Sequence, residues 1–295
     1  MKKANGISRR NLLQTVGTVA AAGAVAVASP PEVLAAPRGP MQQTIKPPRT
    51  IALIGDRAHN SDAIRVSLDR LFKELELPID YTTNYYDLSA SLLQPYQLFV
   101  CLRDNYIFPG GNAATGDPFA SAGYWITEEQ GKALQDFVGA GNGFYSLHNN
   151  AFVSRSSKKY REVQGGVALN HPPLRPYKVR IVNKEHPVTK GVEDFMVTDE
   201  QHYLIYDKDP KNILLYSENV DGLTYWATML DPIEGGPGAS GPPRNLGTTS
   251  VSGWAHEYGR GRVVFTAMGH TIHAMWQPEH FKMQKNAVRW LLEMT

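Results

Sequence analysis

The stretch TIALIGDRAHNSDAIRVSLDRLFKEL, residues 50–75, contains two periodicities in succession. Thr50 to Gly55 is a short apolar run closed by a glycine, the pattern of a buried strand. Ser61 to Leu77 then carries Ile64, Leu68, Leu71, Phe72 and Leu75, a spacing that puts them on one face of a helix. The alternation continues outward from this unit. Ile79 to Thr83 and Gln97 to Leu102 read as strands. Thr127, with Gln130 three residues on, opens a helix to about Val138 through a capping box, and Gly143 to Leu147 is a fourth strand. Strands alternating with helices predict a mostly parallel sheet covered by helices.

The C-terminal half is less regular. Strands are expected at Tyr177–Val182, Val197–Ile205, Ile213–Glu218, Leu223–Met229, Val251–His256 and Arg262–Ala267, and a closing helix from Pro278 to Met294. Residues 103–125 and 231–247 are rich in Gly and Pro and read as loops, candidates for the interface of a homo-oligomer, and 231–247 is also long enough for a lid. No repeat or heptad is present. Residues 50–295 form one α/β domain in this reading.

The first 36 residues read as a leader. A basic start, Lys2 and Lys3, precedes Ser8-Arg9-Arg10-Asn11-Leu12-Leu13, a weakly apolar run Val16–Ala28, and a small-residue end at Ala35-Ala36. This order predicts a twin-arginine export signal over 1–36, followed by a linker over 37–49 and a periplasmic or otherwise exported location. The 13-residue apolar run is short for a membrane span, so none is expected in the mature chain. The twin-arginine route carries folded proteins, so a cofactor can be loaded before export. The single Cys101, in LFVCL, has no disulfide partner and reads as a core residue. The full chain carries +2 and the leader +3, leaving the remainder near −1 with no basic block, which argues against a nucleic-acid partner.

In an open parallel sheet the binding crevice lies beyond the carboxyl ends of the strands. Those ends are followed here by Asp56-Arg57-Ala58-His59, by Arg103-Asp104-Asn105, by His148-Asn149-Asn150 and by Gly269-His270-Thr271-Ile272-His273. His171 lies in a proline-bounded loop, and TDEQHY places Asp199, Glu200 and His202 together. His256 ends the strand before the last one. His186, in a turn before Pro187, reads as structural and His280 as exposed on the last helix. There is no HExxH, no cysteine ligand set, no G-x-S-x-G elbow and no phosphate-binding loop.

The segments LHNN, NHPP, EHPVTKGVEDFMVTDEQHY, GWAHEYGRGRVVFTAMGH and QPEHFKMQKNAVRWLL, in this order, resemble the ThuA-like family, named for trehalose utilisation. The likeness covers about residues 50–295. It implies a class I glutamine amidotransferase-like fold, that is, a flavodoxin-like three-layer α/β sandwich with a mostly parallel central sheet and extra strands in the C-terminal half. Enzymes of that fold carry a nucleophilic cysteine after a strand. His148 stands at the corresponding place, which excludes thiol-based glutamine hydrolysis.

The resemblance implies carbohydrate chemistry, with a 3-keto-glycoside as the expected sugar substrate. A keto-sugar reacts by loss of the proton beside its carbonyl, which needs a base titrating near neutrality. His148, His171, Glu200, His256 and His270 are the expected catalytic set. His59, Arg103, Asn149, Asp199, His202, Trp254 and His273 are the expected substrate-binding set, and Tyr106, Trp125 and Trp276 are further candidate faces for a sugar ring. A divalent metal on some of His148, His171, His256 and His270 with Glu200 is a further expectation, zinc first because the ligands are nitrogen-rich. The competing expectation is a sugar-binding or partner-docking module without turnover. A plain glycosidase fits less well, because no pair of carboxylates stands out.

Overall fold

The structure, a computed structural model, describes residues 47–107, 123–229 and 240–294. The expected leader and most of the linker lie outside these residues, as do the centres of both long loops. No helix among the described residues is long and apolar enough to cross a membrane.

Strand β1 (Thr50–Ile54) is buried at every position. Helix α1 (Ser61–Glu74) starts where the Asn60 side chain accepts the N–H groups of Asp62 and Ala63, and it buries Ile64, Leu68, Leu71 and Phe72. After β2 (Ile79–Thr82) and the short α2 (Ala90–Leu93) comes β3 (Leu98–Leu102). Helix α3 (Glu128–Gly139) has the expected capping box, with Thr127 and Gln130 bonding reciprocally. Strand β4 (Gly143–Leu147) runs into a 3-10 helix, His148–Arg155, and then α4 (Lys158–Gln164).

Strands β5 (Gly166–Asn170), β6 (Arg175–Ile181), β7 (Phe195–Asp199), β8 (Tyr203–Tyr206) and β9 (Ile213–Asn219) follow, then β10 (Trp226–Met229) and β11 (Ser240–Asn245). The long β12 (Thr249–Tyr258) and β13 (Gly261–Thr266) form a hairpin, and α5 (Ile272–Met275) and α6 (Pro278–Leu291) close the chain.

The nine-stranded sheet has the order β2-β1-β3-β4-β13-β12-β9-β6-β7. Its first five strands are parallel, in the 2-1-3-4-5 order of flavodoxin-like sheets, with β13 as the fifth. The other four are joined by antiparallel pairings. Alternate side chains serve two apolar layers. Ala52, Val100, Tyr145 and Val264 face α1 and α6, and Leu53, Phe99, Phe144 and Val263 face α3 and α4. The expected three-layer sandwich, with extra strands in the C-terminal half, is therefore the fold.

Two sequence expectations are corrected. Val197–Ile205 is not one strand: β7 lies at the sheet edge, β8 pairs with β5 in a separate two-stranded sheet, and the chain breaks at Glu200–His202. The loop expected over 231–247 contains β11, which pairs with β10. A two-stranded ribbon has only edges, so Pro242 and Pro243 do not rule out a strand there.

Candidate active site

Six segments meet beyond the carboxyl ends of the parallel strands. The turn after β1 brings Asp56 and His59, and the turn after β3 brings Asp104 and Tyr106. The start of the 3-10 helix after β4 brings His148 and Asn149, and the loop after β13 brings Gly269 and His270. From the antiparallel wing come Asp199, Glu200 and His202, where β7 ends, and His171, where β5 ends. His148 takes a left-handed conformation, φ 53°, which costs of order 1–3 kcal/mol for a residue other than glycine. A Cβ at Gly269 would lie 2.8 Å from the Cβ of His148, so a glycine is needed for the two segments to meet.

One carboxylate oxygen is the hub. Glu200 Oε2 lies 3.2 Å from His270 Nδ1, 3.3 Å from His148 Nε2 and 3.6 Å from His171 Nδ1. His59 Nε2 is 3.2 Å from His270 Nδ1. Behind them, Asp56 Oδ1 receives His59 Nδ1–H at 2.8 Å, and its Oδ2 receives the Asn149 amide at 2.8 Å and the Asp104 N–H at 3.0 Å. His148 Nδ1 lies 2.7 Å from the Ala267 carbonyl, which can only accept, so that nitrogen carries a proton. By the same reasoning His202 Nδ1 donates to Glu200 O at 3.2 Å. Asp199 accepts the N–H groups of Gly269 at 2.7 Å, His270 at 3.4 Å and Glu200 at 3.0 Å. The cluster opens into a cleft of about 600 Å³, lined by Arg57, Tyr106, Phe152, Arg155 and Asn170 as well as by His59, Asp104, His171 and Glu200.

The sequence profile of the trehalose utilisation family, ThuA, matches residues 53–291. The chain belongs to the ThuA family. Among solved structures it resembles ThuA-like proteins from Bacteroides uniformis (20% identity, 86% of this chain and 95% of that one, TM-score 0.56) and from Parabacteroides merdae (16%, 84% and 90%, TM-score 0.59). A cold-adapted β-galactosidase from Rahnella shares the fold over 85% of this chain but 32% of its own (12% identity, TM-score 0.50). No curated protein sequence matches the chain.

The electrostatics of this ThuA cluster follow from burial set against the two acids at its centre. Burial works against a charge on Glu200, but His148 and His270 outweigh it and hold the carboxyl far below the usual range. Burial likewise works against a proton on His148, yet Glu200 and Asp199 prevail and its pKa lies above the ordinary histidine value. In His59, His171 and His202 burial wins and the rings are pushed toward neutrality, His202 most of all. Asp56 resists burial through His59, Asp104 N–H and Asn149 and stands at about 2. Asp104, buried and close to Asp56, is pushed up to about 7.

The structure of this ThuA-family chain thus brings together His59, His148, Asn149, His171, Asp199, Glu200, His202 and His270 from the expected sets. It separates four others. His256 pairs with Val263 near the hairpin turn. Because β12 runs antiparallel to β13, His256 lies at the opposite end of the strands from His270, with Nε2 3.0 Å from Val163 O. Trp254 is a core residue, stacked on Phe265 at 4.3 Å, with its indole N–H donating to Gln164 O. Arg103 is turned away, its guanidinium bonded to Gly55 O and lying 4.2 Å from the centroid of the Tyr85 ring. His273 is exposed on α5.

Asp199 is fully buried and occupied by three backbone N–H groups, so it positions the loop rather than touching a ligand. His186 Nδ1 accepts the Val188 N–H, a structural role as expected, but His280 is buried rather than exposed, bonding Ala274 O. Of the candidate sugar faces, Tyr106 lines the cleft, whereas Trp125 is buried and bonded to Asp104 O, and Trp276 lies beside Arg70. The sequence places Asp56 and Asp104 after strand ends, but neither is in the expected catalytic or binding sets. Their signal was a carboxylate directly after β1, three residues before His59, and another directly after β3.

Proposed function

We propose that this ThuA-family protein is an enzyme acting on a sugar that carries a ketone, a 3-keto-glycoside or a close relative, by proton transfer beside the carbonyl. The observation that carries the reading is the hub at Glu200, one carboxylate oxygen within 3.2–3.6 Å of three imidazoles at the edge of an open cleft. His171 lines that cleft, is partly exposed and is kept neutral by burial, which suits it to accept a proton. Asp104, at about 7, can give a proton back at neutral pH.

In the step proposed, a C–H bond beside the carbonyl breaks, its proton goes to His171 and the electron pair moves into the enolate. In an isomerisation the former carbonyl carbon then takes a proton, while the hydroxyl on the deprotonated carbon gives up its own to the old carbonyl oxygen and becomes the new ketone. In a cleavage the pair instead expels the glycosidic oxygen, which takes its proton from Asp104. The family's association with trehalose utilisation supports a sugar as substrate. The leader pattern at residues 1–36 supports action outside the cytoplasm.

The test is proton NMR of the full chain mixed with 3-keto-glucosides and with the parent glucosides. The reading expects conversion of the keto compounds alone, with turnover lost in His171→Gln. Line broadening without conversion would mean a binding protein, and unchanged spectra would rule out the sugar altogether.

A further inference from the structure

We infer that His59, His148, His270 and Glu200 form a binding site for one divalent transition-metal ion of the zinc, cobalt or iron class. The inference deepens the proposed function and rests on that reading for the role of the ion, although binding itself can be measured without any sugar.

Four potential ligand atoms from these residues lie within 4.8 Å of one another, as they must to surround a single ion. In His59 and His148 the second ring nitrogen settles which atom is offered. Asp56 takes the Nδ1 proton of His59, so Nε2 points its lone pair at the centre. The Ala267 carbonyl takes the Nδ1 proton of His148, and its fully buried Nε2 faces Glu200 Oε2 at 3.3 Å without forming a hydrogen bond. A carboxylate or a backbone carbonyl behind a ring nitrogen is the arrangement that fixes metal-bound histidines. His270 presents Nδ1 to both Glu200 Oε2 and His59 Nε2 at 3.2 Å, a crowding of lone pairs that requires a shared proton or a cation between them.

Three imidazoles and one carboxylate suit a borderline transition metal, whereas magnesium and calcium prefer oxygen ligands. His256, which the sequence offered as a ligand, is excluded by its place at the far end of the strands. His171 stays free for the substrate, because its Nδ1 is 3.0 Å from Pro172 O and it stands on the cleft wall. When bound, the ion supplies Lewis acidity to the ketone oxygen.

The experiment uses the full chain, purified without a histidine tag and stripped of metal, titrated with cobalt(II) chloride and followed by visible d–d absorption and by elemental analysis. One cobalt per chain is expected, displaced by zinc. Binding should be lost in His270→Ala and Glu200→Gln, weakened about 10–100-fold in Asp56→Asn, which acts from behind His59, and kept in His256→Gln. Circular dichroism checks that each variant is folded; His270 is the safest ligand to change because it is partly exposed.

A folded chain that takes up no stoichiometric cobalt overturns the site, as does binding that survives both His270→Ala and Glu200→Gln. The two readings fail separately. Cobalt bound without turnover of keto-glucosides removes the sugar reading and leaves the metal site. A metal-stripped chain that turns over keto-glucosides and takes up no cobalt overturns the site and leaves the sugar reading.

Discussion

Replacing Asp199 by asparagine keeps the shape of the side chain and changes one atom, yet it should loosen the segment that carries His270. Asp199 Oδ2 accepts the N–H of Gly269 at 2.7 Å and that of His270 at 3.4 Å, while Oδ1 accepts the N–H of Glu200 at 3.0 Å. Asparagine has one acceptor oxygen, so its amide N–H must face an N–H on one side. Losing a hydrogen bond to a charged acceptor costs about 1.5–3 kcal/mol. Part of this is returned, because burial raises the Asp199 pKa and removing its charge relieves that burden. A net loss of about 2 kcal/mol follows, or about 4–8 °C in Tm for a domain of this size. Thermal unfolding of parent and variant, with urea curves to confirm an unchanged m value, measures it. A variant whose Tm lies within about 1 °C of the parent would refute the claim that this carboxylate holds the loop.

Three further outcomes are expected. Gly269→Ala forces a Cβ to 2.8 Å from that of His148 and 3.3 Å from a methyl group of Leu102, so it should lose about 1–3 kcal/mol in urea unfolding, along with any keto-glucoside conversion. His256 and His280 are both pushed down to about 4 by burial. Between their unfolded value near 6.5 and about 4, the unfolded chain binds protons that the folded chain refuses. Stability should therefore fall as pH drops through this window, by about 3 kcal/mol per ring at most, and His256→Gln should flatten the slope of Tm against pH; an unchanged slope contradicts the assignment. Cys101 is fully buried, with its thiol pushed up to about 12, so it should react with a thiol reagent only after denaturant is added; rapid reaction of the folded chain would contradict this burial.

The parallel half of the fold was legible because its signals are local. A five-residue apolar run, a capping residue and a helical face each lie within one element, and β4 spans the predicted Gly143–Leu147. The antiparallel wing was harder. The break at Glu200–His202 falls in a polar run, Thr198 to His202, with no glycine or proline to mark it, where the chain leaves the sheet to present two polar side chains to the cluster. The site was legible where residues follow strand ends, as with His59, His148 and His270. It failed for His256 and Trp254, although the short turn at Gly259-Arg260 is a hairpin signal: β12 and β13 pair antiparallel and so point opposite ends at the cleft. Burial of a charged group also leaves little trace in the sequence, which is why Asp199 was taken for a ligand-binding residue.

The place of β13 in the sheet has a consequence for how the chain is made. It is inserted between β4 and β12, yet it is translated after both, with residues 261–266. Until it leaves the ribosome, β4 keeps an open edge, the parallel and antiparallel halves remain unjoined, and His270 is still to come. Pairings between partners so distant in sequence are slow to form and expose strand edges meanwhile. The nascent chain thus carries an exposed strand edge from β4 onward, and the sheet and the imidazole cluster can close only after residue 270 has been made.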